Sequence, residues 1–322
     1  MGAGYLNDIT IMLPYMQGVK QFSNGVVIDP LVPVEVPSFV CIDKNNAKWV
    51  ANNYDHSIVK IVAGVAVLTI PNEMDYGIAG MCVDKNNTVW YIDQGNWSVF
   101  PIVNGVKGAA VSTIGLGNSN APTGICSDKD GALWIVKPDQ MDVSKVLKIV
   151  NNVVTAIYDL EWGPRGICCD RNNVIYVANY ESSTITKIAN DIGTTIAVTD
   201  FPAQLCVDKD NALWVLHVGY EDGVGKVSKI VNGTVTQVIT AGIGSYPDGI
   251  CCDNENSIWV ATPQDYNLVK IVGSAVVLTK EMPDYFSILG DATGMQAAIL
   301  FEGGEVTPPS IVAIMQAMSG GM

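Results

Sequence analysis

Short apolar stretches interrupted by turns rich in Asn, Asp and Gly run along most of this chain. Residues 164–200 show one unit. The run 166–170 is a short apolar strand, and 170–173 is a turn whose Asp and Asn side chains can hydrogen-bond their own backbone. The run 174–179, rich in β-branched and aromatic residues, is a second strand. Residues 184–189 alternate as a third strand and 194–199 as a fourth. Other units join the last two strands through Asn104-Gly105 or Asn232-Gly233, the strongest short hairpin signal. No 3.6-residue periodicity extends over about ten residues inside the unit, which excludes a helical solenoid.

The unit recurs. Cys41, Cys82, Cys126, Cys168, Cys206 and Cys251 each stand two residues before an aspartate: Asp43, Asp84, Asp128, Asp170, Asp208 and Asp253. Six residues after each aspartate comes an aromatic: Trp49, Trp90, Trp134, Tyr176, Trp214 and Trp259. The aspartates are 41, 44, 42, 38 and 45 residues apart, a period of roughly 40 that marks a solenoid, an array or a propeller. Four antiparallel strands per unit, a to d, make a propeller blade. Residues 19–28 match strands c and d, and counting back 11 from Lys20 lands on Ile9 in the strand-like stretch 9–13. Residues 283–289 resemble the approach to strand a. The expectation is an all-β, seven-bladed β-propeller of four-stranded antiparallel blades, its ring closed by strands from both termini so that no sheet edge stays open. Its propeller domain is expected over 1–302, with six full repeats over about 33–282 and a seventh blade from about 5–32 plus 283–302. A division of two strands from each terminus is the alternative, with 295–301 as a further strand. Residues 303–322 are expected to be a C-terminal tail carrying one short apolar turn.

The repeat makes most of its own unusual residues structural. Six cysteines at one position of six blades stand a blade apart, and metal ligands must converge on one ion. The vicinal pairs Cys168-Cys169 and Cys251-Cys252 lie on strands, so their side chains point to opposite faces. These cysteines are read as small, reduced core residues in preference to disulfides or ligands. The stretch 128–131 lacks the third acidic position, the glycine and the closing glutamate of a calcium loop, so it is read as a turn. The recurrent Trp is read as a wedge between blades. Lys60, Lys148, Lys187, Lys229 and Lys270 on strand c are read as lying along the blade with solvated ammonium groups.

Composition removes several partners. Only 16% of the 322 residues are charged and the net charge is −14, which disfavours a nucleic-acid backbone or an anionic membrane surface. The first fifteen residues do not read as a signal peptide, and Leu6 stands where a myristoylation motif needs Ser or Thr. No apolar run approaches the 18 or so residues of a membrane span. Neither nucleic acid nor membrane insertion is expected, and no cofactor is called for.

Function is then sought where the repeat breaks. The a–b and c–d turns fall on one face of the ring, and a Lys or Arg follows five of the six anchor aspartates there. The b–c loops and d-to-a connections fall on the other face and vary greatly. The candidate binding residues gather on that variable face: Tyr54, Asp55, His56, Tyr76, Trp97, Trp162, Arg165, Tyr180, His217, Tyr220, Glu221, Tyr246, Asp248 and Tyr266. Tyr and Trp join an apolar ring to a polar tip and are enriched at recognition surfaces. The expected partners are protein subunits of a larger assembly or a surface glycan.

The pattern Pro-x-Gly-Ile-x-x-Asp, followed by Trp-Val-Ala and Lys-Ile, resembles the NHL-type propellers and, in blade number and strand pattern, the virginiamycin B lyase group over about residues 9–290. The resemblance implies the propeller fold and, for lyase members, a magnesium site of histidines and glutamates at one mouth of the channel. This chain has only two histidines, His56 and His217, in repeats 1 and 5. His217 with Glu221 and Asp222 is the best surviving fragment of such a cluster, and no second ligand set accompanies it. The stretch 289–298 resembles short closing segments of bacteriophage virion proteins. The leading reading is a non-enzymatic binding or structural module, a phage virion component assembled in the host cytoplasm. The alternatives are a metal-dependent lyase and a cytoplasmic protein-interaction propeller.

Overall fold

The computed structural model describes residues 37–281 except 46, 72–76, 117–119, 140–142, 220–222 and 254, together with the stretches 9–13, 18–23, 26–34, 289–290 and 311–314. Residues 37–281 form six consecutive antiparallel blades, each a meander in the strand order a-b-c-d. In blade 4 these strands are Pro164–Cys169, Ile175–Asn179, Thr184–Ala189 and Ile192–Ala197. Blade 2 departs slightly: its outer strand is split into Val106–Lys107 and Val111–Ser112, both paired with strand c. Among the described residues no helix is long and apolar enough to cross a membrane.

The structure has six blades, and the expectation of seven is corrected. The chain ends do form a sheet, with Ile9–Leu13, Gly18–Ser23 and Val26–Pro33 as an antiparallel meander. It is not a four-stranded antiparallel blade, because the strand beside Ile9–Leu13 runs parallel to it and comes from Ile311–Ile314. Leu289–Gly290 then pairs with that strand, giving a mixed five-stranded sheet. Lys20 stands opposite Ile11 rather than Ile9, so the hairpin is shorter than the repeat spacing implied. The stretches 283–288 and 295–301, expected to supply closing strands, lie outside the described residues.

Burial falls from the ring axis outward. Strands a and b are buried on both faces, as in blade 2, which explains their unbroken apolar runs. Strand d alternates between exposed and half-buried, as in blade 3, and shows the period-2 pattern of a half-solvated strand. Near the axis, neighbouring strands a approach closely where the repeat has glycine. A Cβ on Gly166 would lie 2.7 Å from the Ala203 carbonyl oxygen of the next blade.

Cross-strand register turns the sequence repeat into a physical row. Cys206 pairs with Trp214 and Trp214 with Lys229, and the same row is Cys41, Trp49, Lys60 in blade 1 and Cys251, Trp259, Lys270 in blade 6. The anchor aspartate closes it. Asp208 Oδ1 accepts the amides of Asp210 and Ala212 at 3.0 and 2.8 Å, and Oδ2 accepts the Trp214 indole N–H at 2.8 Å. Lys229 Nζ lies 3.3 Å from that carboxylate and 5.0 Å above the Trp214 ring. The strand-c lysines are thus held by a ring and a carboxylate in blades 1, 5 and 6, where solvated ammonium groups were expected.

The eight cysteines are buried thiols. Cys168 packs with Cys206 toward blade 5, and Cys169 with Cys126 toward blade 3, so the vicinal pair does point to opposite faces. Burial pushes the Cys168 and Cys206 thiols well above their ordinary range, which keeps them protonated and unreactive.

Adjacent blades are stapled through the a–b turns. The Asn211 side chain accepts the Arg171 amide at 2.9 Å and donates to Asp170 Oδ2 at 2.9 Å, and Asn87, Asn173 and Asn256 accept the corresponding amides of Lys44, Lys129 and Lys209. Each of these asparagines sits at φ between 62° and 65°, a conformation Asn tolerates better than most residues.

Replacing Asp208 by Ala leaves three donors without an acceptor and a partly buried lysine without its counter-ion. We expect a loss of about 3–5 kcal/mol, read as a lowered urea midpoint. Asn211→Ala, which breaks one inter-blade staple, should cost about 1–3 kcal/mol by the same measurement.

Candidate functional site

The variable face is built on the last residue of each strand b. These are Asn52, Asp93, Lys137, Asn179, His217 and Thr262. All six are buried and polar, so each must find partners on the spot. Asn52 and Asp93 cap their own b–c turns by accepting the amides of Tyr54 and Gly95 at 3.1 and 3.0 Å. Asn179 donates to the hydroxyls of Thr184 and Thr186, and Thr262 donates to the Asn267 carbonyl. Lys137 Nζ reaches the exit of the preceding blade and donates to the Thr113 carbonyl at 2.7 Å. Desolvation lowers its pKa.

His217 belongs to this structural set. Its Nε2 lies 2.8 Å from the Ser228 hydroxyl, and its Nδ1 lies against the carbonyl of Asp200 in the connection from blade 4. The Asp200 carboxylate is paired with Lys226 in turn. Burial lowers the His217 pKa below 6.5, with the Asp200 carbonyl opposing the shift. Both ring nitrogens are engaged and the side chain has no exposed surface. His217, the histidine of the fragment expected to survive from a catalytic cluster, is therefore a buried latch between blades. Its sequence companions Tyr220, Glu221 and Asp222 lie outside the described residues, as does Tyr76. Among the described residues no three His, Cys, Asp or Glu side chains converge as a metal ion would require.

The other candidates divide by exposure. Tyr54, Trp162, Tyr246 and Tyr266 are 69, 60, 44 and 42% exposed, and Asp55 and Arg165 are exposed with them. His56, Trp97 and Asp248 are half-buried. Tyr180 is buried, with the Arg165 guanidinium 3.6 Å above its ring and the Phe201 ring 5.1 Å away. It therefore packs inside the loop layer and presents no ring to a partner.

Backbone conformation separates the two faces. Among the described residues on the a–b and c–d side, left-handed positions are filled by Asn, Asp and Gly, with Ala63 the exception. On the variable side, the residue just before strand c is left-handed in blades 1, 2, 4 and 6, where it is His56, Trp97, Ser183 and Tyr266 at φ 59°, 48°, 53° and 54°. Tyr246 is left-handed too, at φ 44°. Bulky residues reach this region at a cost of order 1–3 kcal/mol, and the same chain meets the same demand elsewhere with Asn. Of the buried strand-b ends only His217 was among the sequence candidates; the other five were missed, and their signal is a polar side chain three positions after each anchor aromatic.

The opposite face holds a cleft of about 360 Å³ between blades 3 and 4, lined among others by Asp130, Lys148, Asn173 and Asp191. Its groups satisfy one another. Lys148 donates to Asp191 at 2.7 Å, Tyr158 donates to the same carboxylate at 2.7 Å, and Asn173 donates to Asp130. The cleft is an inter-blade seam.

No protein-family model matches the chain, and no curated protein matches it. Solved propellers do resemble it. Virginiamycin B lyase from Staphylococcus aureus is 16% identical with a TM-score of 0.68, over 79% of this chain and 88% of that one. A streptogramin B lyase structure is 14% identical with a TM-score of 0.68, over 90% and 93%. A protein from Lactobacillus plantarum is 15% identical with a TM-score of 0.67, over 86% and 96%. At these identities the likeness shows the β-propeller fold alone, and activity is a separate matter.

The His217 latch carries a pH signature. Its folded pKa is depressed, so its contribution is complete above the unfolded value of about 6.5 and is lost as pH falls from there toward the folded value. The thermal midpoint should decline as pH falls below about 6.5, and His217→Gln should flatten that decline in calorimetric scans.

Proposed function

We propose that this propeller is a non-enzymatic binding and structural module whose variable face engages a protein subunit or a surface glycan. One observation carries the reading: exposed aromatics occupy left-handed positions that Asn or Gly would fill at lower cost, as they do on the opposite face. Strain retained at an exposed aromatic points to a use outside the fold. The rigid blades beneath hold the loops in place, and preorganisation of that kind lowers the entropic cost of binding.

The setting proposed for the module is a phage particle assembled in the host cytoplasm, with the face turned to the host surface or a neighbouring subunit. That placement rests on the stretch 289–298, and the comparisons add nothing to it. The metal-dependent lyase alternative loses its starting point, because His217 is committed to the Asp200 carbonyl and the Ser228 hydroxyl.

Combined replacement of Tyr54, Trp162 and Tyr246 by Ala should leave the unfolding midpoint within a few tenths of a kcal/mol, since exposed positions contribute little. The same variant should lose binding to the peptides and glycans that the parent retains on arrays. Unchanged array binding by the triple variant overturns the proposal. Titration calorimetry with magnesium should give no saturable heat.

A further inference from the structure

We propose that Tyr246, Asp265 and Tyr266, at the junction of blades 5 and 6, form a receptor for a lysine or arginine side chain of a partner protein. The inference rests on the variable face being a binding surface and specifies what that surface takes.

The chain itself shows how it holds a cation. In blades 1, 5 and 6 the strand-c ammonium lies 4.8, 5.0 and 5.0 Å above an indole ring. In the same three blades it lies 3.9, 3.3 and 3.5 Å from the anchor carboxylate. Arg165 stacks on Tyr180 on the variable face itself. A ring and a carboxylate side by side act together on a cation: the ring supplies the attraction of its quadrupole and the carboxylate supplies Coulomb energy.

The blade 5–6 junction brings the same two kinds of residue to one place, with Tyr246 and Tyr266 44 and 42% exposed. The Ser245 amide donates to Asp265 Oδ2, which fastens the connection carrying Tyr246 to the short helical turn Pro263–Asp265. Tyr266 follows that turn directly. Two further hydrogen bonds hold Tyr246 from behind and together make the isolated bridge between Val224 and Ser245: the Tyr246 amide donates to the Gly223 carbonyl at 3.0 Å, and the Gly225 amide donates to the Gly244 carbonyl at 2.8 Å. The Tyr246 ring lies 3.1 Å from where a Cβ on Gly223 would stand, so that glycine makes room for it. Two exposed tyrosines thus stand on the two segments that Asp265 joins, each next in sequence to a partner of that hydrogen bond, with the half-buried Asp248 two residues from Tyr246. A net charge of −14 draws basic partners toward the molecule at long range. A neutral glycan can stack on tyrosine but gains nothing from that field, so the observations favour the basic protein segment.

The test uses the full chain and four probes in titration calorimetry: an octapeptide of alternating Arg and Gly, its Lys counterpart, its Glu counterpart and chitotetraose. Both basic peptides should bind saturably and weaken with added salt, and the acidic peptide and the sugar should not bind. Tyr246→Leu and Tyr266→Leu, which keep the charge, should each weaken binding about tenfold. Asp265→Asn keeps an acceptor for the Ser245 amide and should also weaken it about tenfold. Asp130→Asn removes the same charge from the opposite face and should change affinity less than about twofold. Unfolding midpoints report that each variant is folded. Absence of saturable binding by either basic peptide overturns the inference. Equal losses in Asp130→Asn and Asp265→Asn overturn it as well, because attraction would then be delocalised. Chitotetraose binding that disappears in the tyrosine variants, without peptide binding, overturns the cationic partner while leaving the binding face intact.

Discussion

The aspartate that opens each a–b turn is a buried carboxylate whose two oxygens are both taken by donors of its own blade. One carboxylate oxygen closes the turn by accepting two amides, and the other ties the turn to the aromatic of strand b. In blades 1, 5 and 6 the same group holds the strand-c lysine over that aromatic. Three strands of the blade are therefore referred to one charged group buried to within a few percent of full burial. A carboxylate so placed is tolerable only because its lone pairs are filled. That requirement forbids drift in its position, and it accounts for the regularity of the repeat better than core packing does. Apolar positions accept alternatives of similar volume, whereas this network has one geometry.

The consequence for function is a division of labour between the two faces. The a–b turns are occupied twice over, first by the anchor and then by the asparagine that crosses from the next blade. Little variation is possible there without opening a seam. On the other face the buried strand-b ends carry different polar groups in different blades, and each is satisfied by a local solution: a capped turn, a threonine pair, a lysine or a histidine reaching the preceding blade. Because no single geometry is imposed, the loops above those residues are free to differ in length and in what they display. Their strained aromatics stand on this permissive layer.

Much of this was legible along the chain because its causes are local. The Asn104-Gly105 and Asn232-Gly233 turns announced their hairpins, and both residues of each pair are left-handed as such turns require. The constant spacing from Asp43 to Trp49 marked both as parts of one repeat, and the register sets that indole opposite Cys41. Tyr54 and Tyr246 could be assigned to an exposed loop face from the strand order alone. Tyr180 could not be separated from them, because its burial depends on Arg165 and Phe201, which lie in different segments. His217 carried the chemistry of a catalytic residue in sequence. Only Asp200, seventeen positions earlier, and Ser228, eleven later, reveal it as a latch.

The sequence by itself determined the blade, since strand period, turn residues and the aspartate–aromatic spacing all act within about 40 residues. It determined which face would be monotonous and which would vary. The tertiary structure alone decided the number of blades, because joining the ends depends on a pairing between Ile9 and Ile311. No periodicity specifies the direction of that strand, and the parallel arrangement ended the repeat at six. The tertiary structure also decided which polar residues remain available to a partner, because burial is set by neighbours brought in from other blades.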